Sequence, residues 1–238
     1  MKANRITDHF LDESPRDTVL ILPGGGYGYA SKREAEPVAR LFNDHAYHAA
    51  VFEYRNQIKR YPELFEEAYA LVDGFRRRQP VKRLFILGFS AGGHFALQLL
   101  EARPQWFAGG ILAYPVVSAK PQLAHERSFQ NLFGRRPTAA EIALVSLEDH
   151  VREDMPPLFV WHTVTDETVP VANTELLIEA LKAKGVSVEA HLFPTGRHGL
   201  SLVTKATAFP EMDPDEYLRR NRDVSRWVEL MFAWIERS

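Results

Sequence analysis

Five residues, Gly88-Phe89-Ser90-Ala91-Gly92, place a serine between two glycines. A strand-like run, Arg83-Leu84-Phe85-Ile86-Leu87, leads into them, and a helical pattern with Phe95, Leu97, Leu99 and Leu100 follows. In that context the spacing has a mechanical meaning. A strand that reverses tightly into a helix leaves no room for side chains on either side of the serine, and it holds the hydroxyl out at the strand end. The N–H groups opening the helix, beginning with Ala91, then point to where an oxyanion would form. The chemistry implied is attack of Ser90 on a carbonyl.

A serine hydroxyl is a weak nucleophile until a positioned base takes its proton, and the base needs an anion to orient it. Behind a G-x-S-x-G turn these partners come later in the chain, acid before histidine, each on a loop after a strand. Nine histidines compete. His191 falls inside an alternating strand pattern, whereas His198 lies in Pro194-Thr195-Gly196-Arg197-His198-Gly199, just past that strand. His94 is one helical turn beyond Ser90, and a side chain there runs along the helix, so packing is its expected role. For the acid, Asp166 follows the strand-like run Leu158 to Val164. Glu167 is the neighbouring alternative, and Asp149 and Asp154 are weaker ones.

Pro23-Gly24-Gly25-Gly26-Tyr27-Gly28-Tyr29 also ends a strand-like run, Thr18 to Leu22. One reading is a loop whose backbone approaches a substrate carbonyl and donates N–H groups to it. The other is a dinucleotide turn, with Glu53 at the next strand end for a ribose. The glycine spacing argues against the second, since Tyr29 and Ser31 stand where a third glycine belongs.

Further elements complete the alternation of strand and helix. Strands are expected at Ala49 to Tyr54, Gly110 to Tyr114, Leu158 to Trp161 and, near a sheet edge, Val186 to Leu192. Helices are expected from Pro62 onward with Leu64, Ala68, Leu71, Val72 and Phe75 on one face, between Asn173 and Lys184 with Asn173 as cap and Gly185 past the end, and at the C-terminus with Val224, Trp227, Val228, Met231, Phe232 and Ile235. The pattern predicts an α/β fold with a mainly parallel sheet and helices on both faces. Residues 1–238 read as one domain, with 115–157 as a lid-like insertion.

These motifs resemble a known family. Pro23-Gly24-Gly25-Gly26-Tyr27, Gly88-Phe89-Ser90-Ala91-Gly92-Gly93-His94, Tyr114-Pro115-Val116, Asn131-Leu132-Phe133-Gly134, Asp166 with Val169-Pro170, and His198-Gly199-Leu200 occur in the order found in small bacterial α/β-hydrolase esterases. That group comprises acetylesterases and acetyl-xylan esterase-like proteins, related to feruloyl-esterase-like and hormone-sensitive-lipase enzymes. The resemblance runs from about Ile21 to the last helix. It implies a Ser90–Asp166–His198 triad, oxyanion donors from Gly25 or Gly26 and from Ala91, and removal of acetyl groups from sugars or related small esters. One departure is Pro23, where many lipase-type relatives carry histidine. It leaves open which glycine donates.

Composition bounds the alternatives. A formal charge of −2 gives no drive toward nucleic acid. The absence of cysteine removes disulfides and thiolate chemistry. Met1 to Phe10 lacks the apolar core of a signal peptide, and no later run is long enough for a membrane span, so a cytoplasmic location is expected. No cofactor or metal is implied, and the expected partner is a small-molecule ester. The exposed edge strand and aromatic last helix are the features that would support a homo-oligomer. Trp161, His162, Tyr27, Tyr29 and Tyr54 fall near strand ends, where rings could carry a sugar face or simply pack. An amide-cleaving relative, a small peptidase or arylformamidase, would use the same triad. A non-catalytic binding protein would keep the fold alone.

Overall fold

The computed structural model describes residues 4–54, 60–78 and 80–238. Its frame is one seven-stranded sheet formed by β1 (Arg5–His9), β2 (Arg16–Leu22), β3 (His48–Glu53), β4 (Val81–Phe89), β5 (Gly109–Ala113), β6 (Leu158–Thr163) and β7 (Val188–Phe193). The strand order is β1-β3-β2-β4-β5-β6-β7. Six strands run parallel, and β1 pairs antiparallel with β3. The sheet confirms the mainly parallel α/β fold expected from the alternation. The antiparallel β1 was not foreseen, because its polar residues Arg5, Thr7 and Asp8 give no apolar run.

Parallel strands covered on both faces read as continuous apolar runs, because alternate side chains enter two separate cores. Val19, Ile21, Leu87, Phe89, Ile111, Phe159 and Trp161 pack on one face with α1 (Glu36–Asp44) and α9 (Trp227–Arg237). Leu20, Leu22, Ile86, Leu112 and Val160 pack on the other with α2 (Glu63–Arg76), α3 (Ala91–Ala102) and α6 (Ala172–Ala183). Helix α1 also went unread in the sequence.

Helix α6 corrects one expectation. Asn173 is not its cap: the helix begins at Ala172 behind Val171, which makes no side-chain cap bond. Asn173 is buried inside it, and its Oδ1 accepts from the N–H groups of Val117 and Ser118 at 3.0 Å each. The amide serves a turn far away in sequence, which local capping rules do not see. Gly185 does follow the helix end, in the left-handed conformation at φ 71°.

Residues 115–157 carry two short helices, α4 (Glu126–Phe133) and α5 (Ala139–Val145). The remaining helices are α7 (Pro214–Arg220) and α8 (Arg222–Ser225). Among the described residues no helix is long and apolar enough to cross a membrane. From β2 the chain moves outward to β3 and then returns to β4 on the other side of β2. The crevice at the carboxyl ends of β2 and β4 is therefore the topological switch point, where open α/β sheets place their ligands.

Candidate active site

Ser90 stands at that switch point, after β4 and ahead of α3. Its backbone lies at φ 54° and ψ −121°, a strained conformation for a residue with a side chain. The surroundings fix it: Ser90 N donates to Ala113 O at 3.0 Å, and Ser90 O accepts from Gly93 N, His94 N and Val116 N. The flanking glycines are needed for space. A Cβ on Gly88 would lie 2.3 Å from Gly92 O, and one on Gly92 would lie 2.1 Å from Leu22 O. A serine ahead of a helix normally turns its hydroxyl onto the first-turn N–H groups. Ser90 makes no such cap, and its Oγ lies 2.8 Å from His198 Nε2 instead.

The three residues from separate loops meet. His198 Nδ1 lies 2.6 Å from Asp166 Oδ2. Asp166 Oδ1 accepts from the N–H groups of Thr168 and Val169 at 2.9 Å each. A carboxylate only accepts, so Nδ1 carries the proton and Nε2 is free to accept from the Ser90 hydroxyl. Burial by itself would raise the Asp166 carboxyl, but hydrogen bonds from His162 and His198, the charge of His198 and the Val169 N–H outweigh it, leaving it well below the usual carboxylate range. Asp166 is buried, while the His198 side chain keeps 16% exposure. Gly196 and Gly199 bracket it with positive φ, and the Tyr114 ring meets its own edge-on at 5.0 Å.

The rival acids lie elsewhere. Glu167 is exposed, and Asp149 and Asp154 pair with Lys120 and Arg152. His191 pairs with Glu189 on β7. His94 is wholly buried between Tyr27 and Val145, as its helical position suggested. Glu53, the ribose candidate, is bound by Arg5 and Thr7.

The glycine loop after β2 faces Ser90. Tyr54 donates to Pro23 O at 2.5 Å, Glu34 accepts from Gly24 N at 2.8 Å, and Asn131 of α4 donates to Gly26 O at 2.7 Å. Gly25 adopts φ 126°, and a Cβ there would fall 2.0 Å from Tyr29 O. With Gly24 N engaged by Glu34, the N–H groups of Gly25, Gly26 and Ala91 meet no acceptor among the described residues. The supports of the loop carry no sequence motif of their own. Glu34 is a buried carboxylate that also accepts from Tyr114 OH at 2.6 Å, and that hydroxyl accepts from Ser201 N at 3.0 Å in the loop after His198. Glu34 thus ties the glycine loop to the histidine loop. An acid ten residues past the glycines gives no local signal of this.

The aromatic group expected at the strand ends is largely core. Trp161, His162, Tyr27 and Tyr54 are buried and cannot face a sugar, whereas Tyr29 is 67% exposed. Strand ends in this fold sink into the two cores, so proximity in sequence to a loop did not mean exposure.

A switch-point serine on a strand-to-helix elbow, linked through histidine to a buried aspartate, defines the α/β-hydrolase class of enzymes. A model of the prolyl oligopeptidase family matches residues 45–237, and the chain belongs to that family. It is similar to endo-1,4-beta-xylanase B of Butyrivibrio fibrisolvens, with 32% identity over 216 residues that cover 80% of this chain and 33% of that protein. The chain thus spans about a third of the length of the curated relative it matches. Among solved structures, the acetyl ester-xyloside bifunctional hydrolase of Caldicellulosiruptor lactoaceticus superposes with a TM-score of 0.81 at 32% identity, over 97% of this chain and 86% of that one. A carboxylesterase of Lactobacillus plantarum superposes with a TM-score of 0.82 at 28% identity, over 98% of this chain and 92% of that one. The esterase resemblance drawn from the motifs therefore holds at the level of the family and the serine-hydrolase fold.

Proposed function

We propose that the chain is a serine carboxylic ester hydrolase that removes short acyl groups, acetyl above all, from small esters such as acetylated oligosaccharides. The observation that carries this reading is the unbroken relay from Ser90 Oγ through His198 to Asp166, at 2.8 and 2.6 Å. His198 takes the Ser90 proton as Oγ forms a bond to the ester carbonyl carbon. The carbonyl oxygen becomes an oxyanion that accepts from Ala91 N–H and from Gly25 or Gly26 N–H. Donors of this kind are each worth roughly 3–4 kcal/mol in comparable enzymes. As the carbon–oxygen bond to the alcohol breaks, His198 returns the proton to the leaving oxygen, and an acyl-Ser90 remains. Water then enters by the same route in reverse, giving the free acid and Ser90. Asp166 holds the imidazole in the accepting tautomer and balances its charge.

Similarity to a named acetyl ester hydrolase and to a carboxylesterase supports the ester and the short acyl group. Amide cleavage is the second reading, favoured by the prolyl oligopeptidase family match. A panel of 4-nitrophenyl esters of increasing acyl length, run beside aminoacyl and formamide substrates, separates the two. Acetate turnover should exceed both longer acyl esters and amides, and faster amide than ester turnover would reverse the assignment. Ester cleavage that survives in Ser90→Ala would sink the mechanism under either reading.

A further inference from the structure

Beside the glycine loop, outside the relay, lies a cleft of about 700 Å³. Small-molecule sites typically span about 300–1,000 Å³. Gly28 and Asn131 line its side toward the loop, and Arg60, Arg135 and Arg136 line much of the remainder. Asn131 joins cleft to loop: its Nδ2 holds Gly26 O, and it lies 3.1 Å from where a Gly28 Cβ would be. A molecule in the cleft is therefore one side chain away from the N–H groups assigned to the oxyanion.

The three arginines differ in charge balance. Arg135 is neutralised by Glu141, with contacts of 2.8 and 2.7 Å. The Arg60 guanidinium lies against the end of α4, so that a Cβ on Gly134 would meet its Nη1 at 0.9 Å. Its one polar contact among the described residues is Phe133 O at 3.4 Å. Arg136 is exposed and has no carboxylate partner among the described residues. Some arginines elsewhere sit on acids, as Arg83 does on Asp17 and Arg152 on Asp154, while Arg33 and Arg103 hold backbone carbonyls. The carboxyl end of α4 points roughly half a negative charge this way, which two guanidiniums exceed. The cleft is cationic in a chain of net charge −2.

We infer that this cleft is a subsite for a carboxylate-bearing sugar, a uronate, on the alcohol half of the ester; the inference rests on the ester-hydrolase reading above. A guanidinium fork matches a planar carboxylate, and the amides of Asn131 and Gln130 suit sugar hydroxyls. The volume is far larger than a short acyl group needs, which leaves the cleft to the alcohol.

The test is calorimetric titration of the Ser90→Ala chain with methyl glucuronoside, methyl glucoside and inorganic phosphate, repeated with Arg60→Gln and Arg136→Gln added together. The glucuronoside should bind about ten-fold more tightly than the glucoside, the size of a charge-assisted contact. The doubly substituted chain should lose that margin, and Arg136→Gln alone, at an exposed position, should lose part of it. Equal binding of the two sugars, or a margin that survives both substitutions, overturns the inference. Phosphate binding as tightly as the glucuronoside marks a general anion site and overturns the sugar assignment. Because the Ser90→Ala chain is used for binding alone, these outcomes stand apart from the esterase reading, which 4-nitrophenyl acetate turnover by the unaltered chain decides.

Discussion

Two histidines in this molecule are wired alike and differ in what the wires reach. His94 accepts from Tyr27 OH at Nδ1, 2.8 Å away, and donates to Val145 O from Nε2, 2.9 Å away. His198 donates to Asp166 from Nδ1 and accepts from Ser90 at Nε2. In each ring one nitrogen donates and the other accepts. Around His94, however, both partners are neutral and the ring is wholly buried. Burial drops its pKa to about 4, with the Val145 contact only partly opposing. His198 has a carboxylate on one side and a partly open crevice on the other. A base needs an anion to steady its charged form and a route for a proton, and only one of the two sites supplies both.

The largest effect expected from this contrast is on turnover. His198→Ala should lower kcat by about 10⁶-fold, as loss of the base does in comparable triads, while leaving thermal unfolding nearly unchanged. His94→Ala should do the reverse. It strands a buried tyrosine hydroxyl and a carbonyl, each costing about 1–3 kcal/mol, and its kcat per folded molecule should fall far less. Kinetics and denaturant unfolding on both variants check this. A folded His94→Ala chain as inactive as His198→Ala would break the comparison. Asp166→Asn should fall between, at about 10⁴-fold in kcat, since the amide can hold the ring in the wrong tautomer.

A smaller effect concerns the loop that His94 helps hold through Tyr27. Glu34→Ala removes the acceptor for Gly24 N–H and for Tyr114 OH, so the glycine loop should lose alignment with Ser90. The bound is the loss of one oxyanion donor, about 10²–10³ in kcat, and KM should change less than kcat. Glu34→Gln keeps one acceptor oxygen and should recover part of the rate. An unaltered kcat in Glu34→Ala would remove Glu34 from the positioning of the loop.

How much of this could be read from the chain follows from where the information sits. The parallel strands were legible because burial on both faces forces unbroken apolar runs such as Leu84 to Leu87. Ser90, Asp166 and His198 were legible as a set because each is a side chain with its own chemistry on a loop after a strand. Strand β1 was not, since its polar residues gain order only from pairing with β3. The glycine loop was half legible. Its glycines stand out, but the residues that aim them, Glu34, Tyr54, Asn131 and Tyr114, are scattered and act through one or two hydrogen bonds each. Asn173 misled because a helix-start asparagine looks like a cap whether it faces its own helix or a distant turn.

The smallest predicted effect separates the two histidines by stability rather than rate. His94 folds with its pKa lowered from 6.5 to about 4, so between those values the unfolded chain binds a proton that the folded chain refuses. The stabilisation from keeping the ring neutral is fully present above about pH 6.5 and is lost as the pH falls toward about 4. That gap corresponds to about 3 kcal/mol over the window. The Asp166 carboxyl also has its folded value lowered, so its contribution persists above the ordinary carboxylate pKa near 3.8 and is lost only below it, outside the His94 window. Urea unfolding midpoints measured at pH 7, 5.5 and 4.5 should therefore carry a His94 contribution that falls with pH, opposed by the buried Glu101 carboxyl, which burial pushes up. The slope should flatten in a folded His94→Gln chain and persist in His198→Gln. An equal slope in all three would mean that burial of His94 does not govern acid lability, and that the two rings differ less than their surroundings suggest.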